Sequence, residues 1–124
     1  MANPSTTGTG TEVIRRFYYD ATGGTERRII TVPANHIYIV KSIFFTEKSN
    51  QADAIFSLYV DYDGGGTDVY LLEQQPNPNR STFILNDVFV LSAGDILNFI
   101  CDAPTSGSGE DHDIYGTFID QDWS

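Results

Sequence analysis

Eight or nine short apolar runs between Val13 and Ile119, each closed by turn-forming residues, constrain this chain more than any other feature. Runs of this length, rich in Val, Ile, Phe and Tyr and separated by Gly, Pro, Asn and Asp, fit strands packed on a pleated, half-buried surface. No stretch places apolar residues at i, i+3, i+4 and i+7, the spacing an amphipathic helix needs. The length, 124 residues, suits one domain with a single core. The expected fold is therefore all-β: a single-domain antiparallel β-sandwich, a jelly roll of about eight strands.

The pair that organises the rest is Val88–Leu91 and Ile96–Cys101, flanking Ser92-Ala93-Gly94-Asp95. It reads as two strands joined by a tight turn or corner. In a jelly-roll corner, Gly94 permits the bend and Asp95 hydrogen-bonds the turn amides. Val13–Tyr19 is the first strand and Arg27–Val32 the second, ended by Pro33 because proline cannot donate to a ladder. Ile37–Thr46 is the longest strand and apolar on both faces, so it belongs at the centre of a sheet or under another subunit. Ala54–Tyr62 and Val69–Leu72 form a hairpin over Asp63-Gly64-Gly65-Gly66-Thr67. Thr82–Leu85 is short, and Ile114–Ile119 is last. Residues 1–12, small and polar, form a flexible arm ahead of the sandwich domain, 13–124.

Net charge is −10, which repels phosphate backbones and argues against nucleic acid as a partner. The charge is uneven: residues 1–48 carry six bases against four acids, and residues 49–124 carry thirteen acids and one base. Such a chain is able to associate head-to-tail or dock on a mixed-charge surface, although acids for solubility explain the same balance. The single cysteine, Cys101, cannot close an internal disulfide, so stability needs no oxidising compartment. No secretory signal is visible at Met1–Gly8, and no apolar run approaches the ~20 residues that span a bilayer, so no membrane partner is expected.

Catalysis has little material. His36 and His112 are the only histidines, and no Gly-x-Ser-x-Gly elbow occurs. A small hydrolase would require one of them beside an acid in a pocket. Asp61–Asp68 resembles the start of a calcium loop, but Gly65 stands at the third alternate position and Leu72 where the bidentate Glu belongs. Glu110, Asp111, His112 and Asp113 offer ligands to a metal, yet neighbours on a strand point to opposite faces. No cofactor is expected. Binding remains: Tyr18, Tyr19, Tyr59, Tyr62, Tyr70 and Tyr115 suit a half-buried sheet, a protein interface or a sugar platform.

The runs Val32–Ile43, Ala54–Val60 and Phe89–Leu97, with a proline, turn and long strand first and a Leu-x-x-Gly-Asp corner last, resemble small β-sandwich virion proteins of tailed bacteriophages. The likeness covers roughly residues 26–120 and is greatest to capsid decoration (cement) proteins and fibre modules. It implies a non-enzymatic virion structural protein, made in the host cytoplasm and packed into homo-oligomers, often trimers. The implied partners are other virion proteins: the major capsid protein, or tail or neck components. The chain has no evident second domain for host recognition, which favours a cement role over a receptor-binding one. The expected contact region is Arg15, Arg16, Phe17, Tyr18, Tyr19, Arg27 and Arg28. The alternative is a carbohydrate- or receptor-binding module of a tail fibre or baseplate, using Tyr62, Tyr70, Asn77 and Asn79.

Overall fold

The computed structural model describes residues 10–22, 26–49, 54–102 and 111–124. All regular structure among them is strand. In chain order these are β1 (Thr11–Thr22), β2 (Arg27–Thr31), β3 (His36–Glu47), β4 (Ile55–Tyr62), β5 (Thr67–Pro76), β6 (Thr82–Leu85), β7 (Phe89–Ser92), β8 (Ile96–Asp102) and β9 (Asp111–Asp122). One sheet runs β1-β9-β3, with β6 and β7 both paired along the far edge of β3. The other runs β2-β8-β4-β5, and every pairing is antiparallel. Strand β6 covers Ile43–Thr46 and β7 covers Ile37–Val40, so the two are one strand interrupted at Asn86–Val88. Counted that way, two four-stranded sheets interleave the first and last parts of the chain. This is a jelly roll.

The Val88–Cys101 pair is a corner and not a hairpin, because β7 lies in one sheet and β8 in the other. Gly94 makes the bend with φ of 92°. The Asp95 carboxylate accepts from the Ser92 amide (2.9 Å) and from the Asp63 amide in the β4–β5 loop (2.8 Å). The Asp95 carbonyl accepts from Val32 N (3.0 Å), and Gly94 N donates to the Val32 carbonyl (3.0 Å). One acid and one glycine therefore join three connections at this end of the sandwich.

Strand β3 is central, as its two apolar faces require. The first and last strands extend beyond their apolar cores. Thr11 and Glu12, the last residues assigned to the arm, belong to β1, and β9 begins at Asp111. Residues 1–9 of the arm lie outside the described residues. Lys41 forms a bulge in β3 between the Val40 and Ser42 pairings with β9. Just past it, Gly116, paired with Ile43 on β3 and Phe17 on β1, leaves the space in which the Phe17 ring lies; a Cβ there would sit 2.5 Å from that ring and 2.9 Å from the Ser42 carbonyl.

The core is a stack of phenylalanines drawn from both sheets. Phe45 packs on Phe56 (ring centroids 4.5 Å apart) and Phe99 (5.8 Å), with Val40, Ile43, Leu58, Leu91, Leu97 and Ile114 around them. Cys101 is fully buried in this cluster, which suits a small hydrophobe better than a nucleophile.

Candidate functional site

The outward face of the β1-β9-β3-β6/β7 sheet carries most of the exposed apolar side chains on that sheet. Strand alternation turns Phe17, Tyr19, Phe45 and Phe118 inward and leaves their neighbours facing out. Register then aligns the outward residues in rows across the strands. Tyr18 pairs with Tyr115, Tyr115 with Phe44, and Phe44 with Ile84, so one apolar row crosses four strands. These four are 79, 42, 39 and 52 % exposed. A second row crosses near the other end: Ile14 with Ile119, Ile119 with Ile39, and Ile39 with Val90. Its ends, Ile14 and Val90, are 78 and 57 % exposed.

Polar levels flank the aromatic row on both sides. Between the two apolar rows lie Arg16, Thr117 and Ser42, with Lys41 exposed on the adjacent bulge. Beyond the aromatic row lie Asp20 and Asp113, paired across β1 and β9. Lys48 Nζ sits 2.9 Å from Asp113, 3.6 Å from Asp20 and 3.7 Å from Asp111. The Asp113 hydrogen bond raises the Lys48 pKa, while burial followed by the Asp20 carboxyl raises that of Asp111. A groove of about 390 Å³ runs between Tyr18, Tyr115 and the Asp20–Asp113 pair.

The contact residues expected from sequence divide by face. Arg16 and Tyr18 stand on this outward face. Phe17 and Tyr19 pack against the core, and Arg15 Nε donates to the buried Asp120 carboxylate at 2.9 Å. Arg27 and Arg28 lie on β2, the edge of the other sheet. Tyr115, one of the tyrosines that suit an interface, completes the face with Phe44 of the long strand and with Ile84, Ile14 and Val90. Alternation in the sequence shows which residues share a side of each strand, but not the register that lines them up.

The proposed glycan residues do not converge. Tyr62 ends β4 opposite Thr67, whereas Asn77 and Asn79 follow the other end of β5, about 23 Å away at ~3.3 Å per residue. Asn77 is 2 % exposed and committed to the interior, its Nδ2 donating to the Phe45 carbonyl (3.2 Å) and to His112 Nε2 (3.1 Å). Tyr70 packs tilted against Tyr59 (ring centroids 4.9 Å apart) beside a depression of about 190 Å³ that includes Ser57, Glu73 and Gln74. Tyr59 donates to Glu26, and burial, followed by that bond, raises its pKa.

Of the two histidines, His36 lies beside acids and His112 lies in the core. His36 Nδ1 is 2.7 Å from Asp120, and its Nε2 is 3.5 Å from Asp122, so carboxylates face both ring nitrogens. His112 points into the core, edge-on to Phe56 and Phe99 at 5.5 and 5.4 Å. Burial lowers its pKa to about 4, against the smaller upward pull of Glu47. Glu110 lies outside the described residues, and Asp111 and Asp113 face away from His112 toward Lys48. Among the described residues no three His, Cys, Asp or Glu side chains gather as metal ligands. The Asp61 carboxylate accepts from the Gly66 amide at 2.7 Å, closing the β4–β5 loop on itself.

No protein-family model and no curated protein matches this sequence. Solved structures do match its fold. A crystal structure of the infectious bursal disease virus particle aligns with a TM-score of 0.58 at 6% identity, over 90% of this chain and 31% of that one. This chain thus spans about a third of the length of the infectious bursal disease virus chains that it matches. A chain from the acid-stable capsid of Helicobacter pylori bacteriophage KHP30 aligns at 0.54 with 7% identity, over 94% of this chain and 95% of that one. A chain from Bacillus endospore appendages, described as disulfide-linked pili, aligns at 0.52 with 15% identity, over 100% and 99%. The chain therefore has an all-β fold in common with viral capsid proteins and with a pilus protein.

Proposed function

We propose that this protein is a non-enzymatic structural subunit of a bacteriophage virion that decorates and stabilises an assembled shell. The observation that carries the reading is the end-to-end match to a chain of a phage capsid, over more than nine-tenths of both chains. The outward apolar face supports it, because aromatic and aliphatic side chains in rows serve a protein contact better than a solvent boundary. The partners are a major capsid protein, or a neck or tail component, and further copies of the chain, a trimer among the possible assemblies. Synthesis is in the host cytoplasm and the working location is the virion.

A decoration subunit acts by mass action: it binds the assembled shell and not the free capsid subunits, and so adds its binding free energy to the shell alone. The test is co-sedimentation of the purified protein with expanded, undecorated capsids of the phage that encodes it. Saturable binding and a higher capsid disruption temperature are expected. Capsids that pellet without the protein at every concentration overturn the reading.

A second reading is favoured by the match to the endospore appendage chain over essentially the whole of both chains. In it the same fold polymerises into a fibre. Filaments formed by the purified protein alone, seen by negative-stain microscopy, support a fibre; discrete particles support decoration.

A further inference from the structure

We infer that the outward face of the β1-β9-β3-β6/β7 sheet is covered by a second copy of this chain, related by a two-fold axis along the row Tyr18–Tyr115–Phe44–Ile84. This deepens the proposed role as an assembly subunit by naming the self-contact, and it rests on that reading only for its biological setting.

Three observations carry it. First, two rows of exposed or half-exposed hydrophobic side chains cross a face that a sheet turned to water would make polar throughout. Second, its size is sufficient. Four strands ~4.8 Å apart and about nine residues at ~3.4 Å give a flat face of about 600 Å² per copy, ~1,200 Å² in total, above the ~1,000 Å² that a specific interface needs.

Third, the charges on either side of the aromatic row complement each other. One level carries Asp20 and Asp113, with Asp111 one step further out, three carboxylates against the single ammonium of Lys48. The other carries Arg16 and Lys41, neither of which has an ion-pair partner among the described residues. The Asp20–Asp113 pair and Arg16 each lie one outward step, ~6.8 Å, from the aromatic row. A two-fold axis along that row reverses the strands and sets the acidic level of one copy over Arg16 and Lys41 of the other. The aromatic row meets itself, as an isologous contact requires. An axis along the strands would instead stack acid on acid, and is disfavoured.

Sedimentation velocity on the full chain across the micromolar range tests the inference. Concentration-dependent association is expected, weakened at least about tenfold by Phe44→Asp and by Tyr18→Asp, the loss that removing one well-packed interface anchor produces. Circular dichroism that matches the parent confirms that each variant folds, as expected for exposed positions. Arg16→Asp and Asp20→Arg each weaken association as well, and mixing the two restores a mixed pair. A chain that stays monomeric throughout, association untouched by Phe44→Asp and Tyr18→Asp, or two charge variants that remain apart on mixing would each overturn it. Because the assay contains no capsids, its failure leaves the shell-binding result standing, and failed shell binding leaves this contact standing.

Discussion

Two buried carboxylates, Asp95 and Glu47, occupy opposite ends of one sandwich and are satisfied to different degrees. Asp95 uses both oxygens, on the amides of Ser92 and Asp63, and ties three connections together. Glu47 is fully buried, and its Oε1 accepts from the Ser49 amide at 2.7 Å while Oε2 has no hydrogen-bond partner. Its register partner across β3 and β9 is His112, whose Nδ1 is also buried without one. Asn77 donates to the other ring nitrogen, which fixes the proton on Nδ1. One end is thus a closed hydrogen-bond network, and the other holds buried polar atoms in an aromatic core at a cost in stability. The sandwich is fastened at the Asp95 corner and sensitive to pH at the Glu47–His112 end.

The largest test of that contrast is acid. His112 titrates near 4 in the folded state and near 6.5 when unfolded. Between those values the unfolded chain binds a proton that the folded one refuses, so stability falls as pH drops from 6.5 to 4 and is unaffected by this group above. At 1.36 kcal/mol per pKa unit the loss is about 3 kcal/mol. Urea unfolding at pH 7 and pH 4 measures it, and His112→Leu is expected to flatten that part of the acid limb. An equal slope in the variant would assign the acid sensitivity to other groups.

Next is Asp95→Ala, which leaves the Ser92 and Asp63 amides without their acceptor and should cost about 2 kcal/mol at neutral pH, with no added pH dependence from His112. Gly94→Ala follows at about 1.5 kcal/mol. Its φ of 92° is a conformation L side chains rarely adopt, and the new Cβ would meet the Asp63 carboxylate at 2.6 Å. Thermal melts at pH 7 rank the two. If either proves neutral, the corner is not the fastening point.

The two ends also differ in how far the sequence reveals them. Gly94 and Asp95 are adjacent and follow an apolar run, so local turn chemistry points to a corner and to the role of each residue. Glu47, Asn77 and His112 come from β3, the β5–β6 connection and β9, and nothing near any one of them signals the others. The outer face is an intermediate case. Alternation assigns Tyr18, Phe44, Ile84 and Tyr115 to one face of each strand, but β3 is apolar on both faces, so alternation alone cannot say which is inside. Lys41 adds a bulge that shifts the pairing by one residue, and only the register across it aligns the row. The start of β9 is hidden in the sequence for a different reason. Asp111 and Asp113 look like loop residues until Lys48 is seen between them.

The smallest effect separates the two contributions to His112. Burial is the larger and lowers its pKa; the Glu47 charge is the smaller and raises it. Glu47→Gln removes the charge while keeping a side-chain oxygen for the Ser49 amide, so the His112 pKa should fall further, by less than about one unit. The acid-sensitive window then reaches lower in pH, and stability at pH 7 changes little through His112, which is neutral in both states there. NMR titration of the His112 ring reads the shift directly. A rise would overturn the upward pull assigned to Glu47 and leave burial as the sole cause of the low His112 value. In that case the acid sensitivity of this end would belong to one buried imidazole and not to a Glu47–His112 pair.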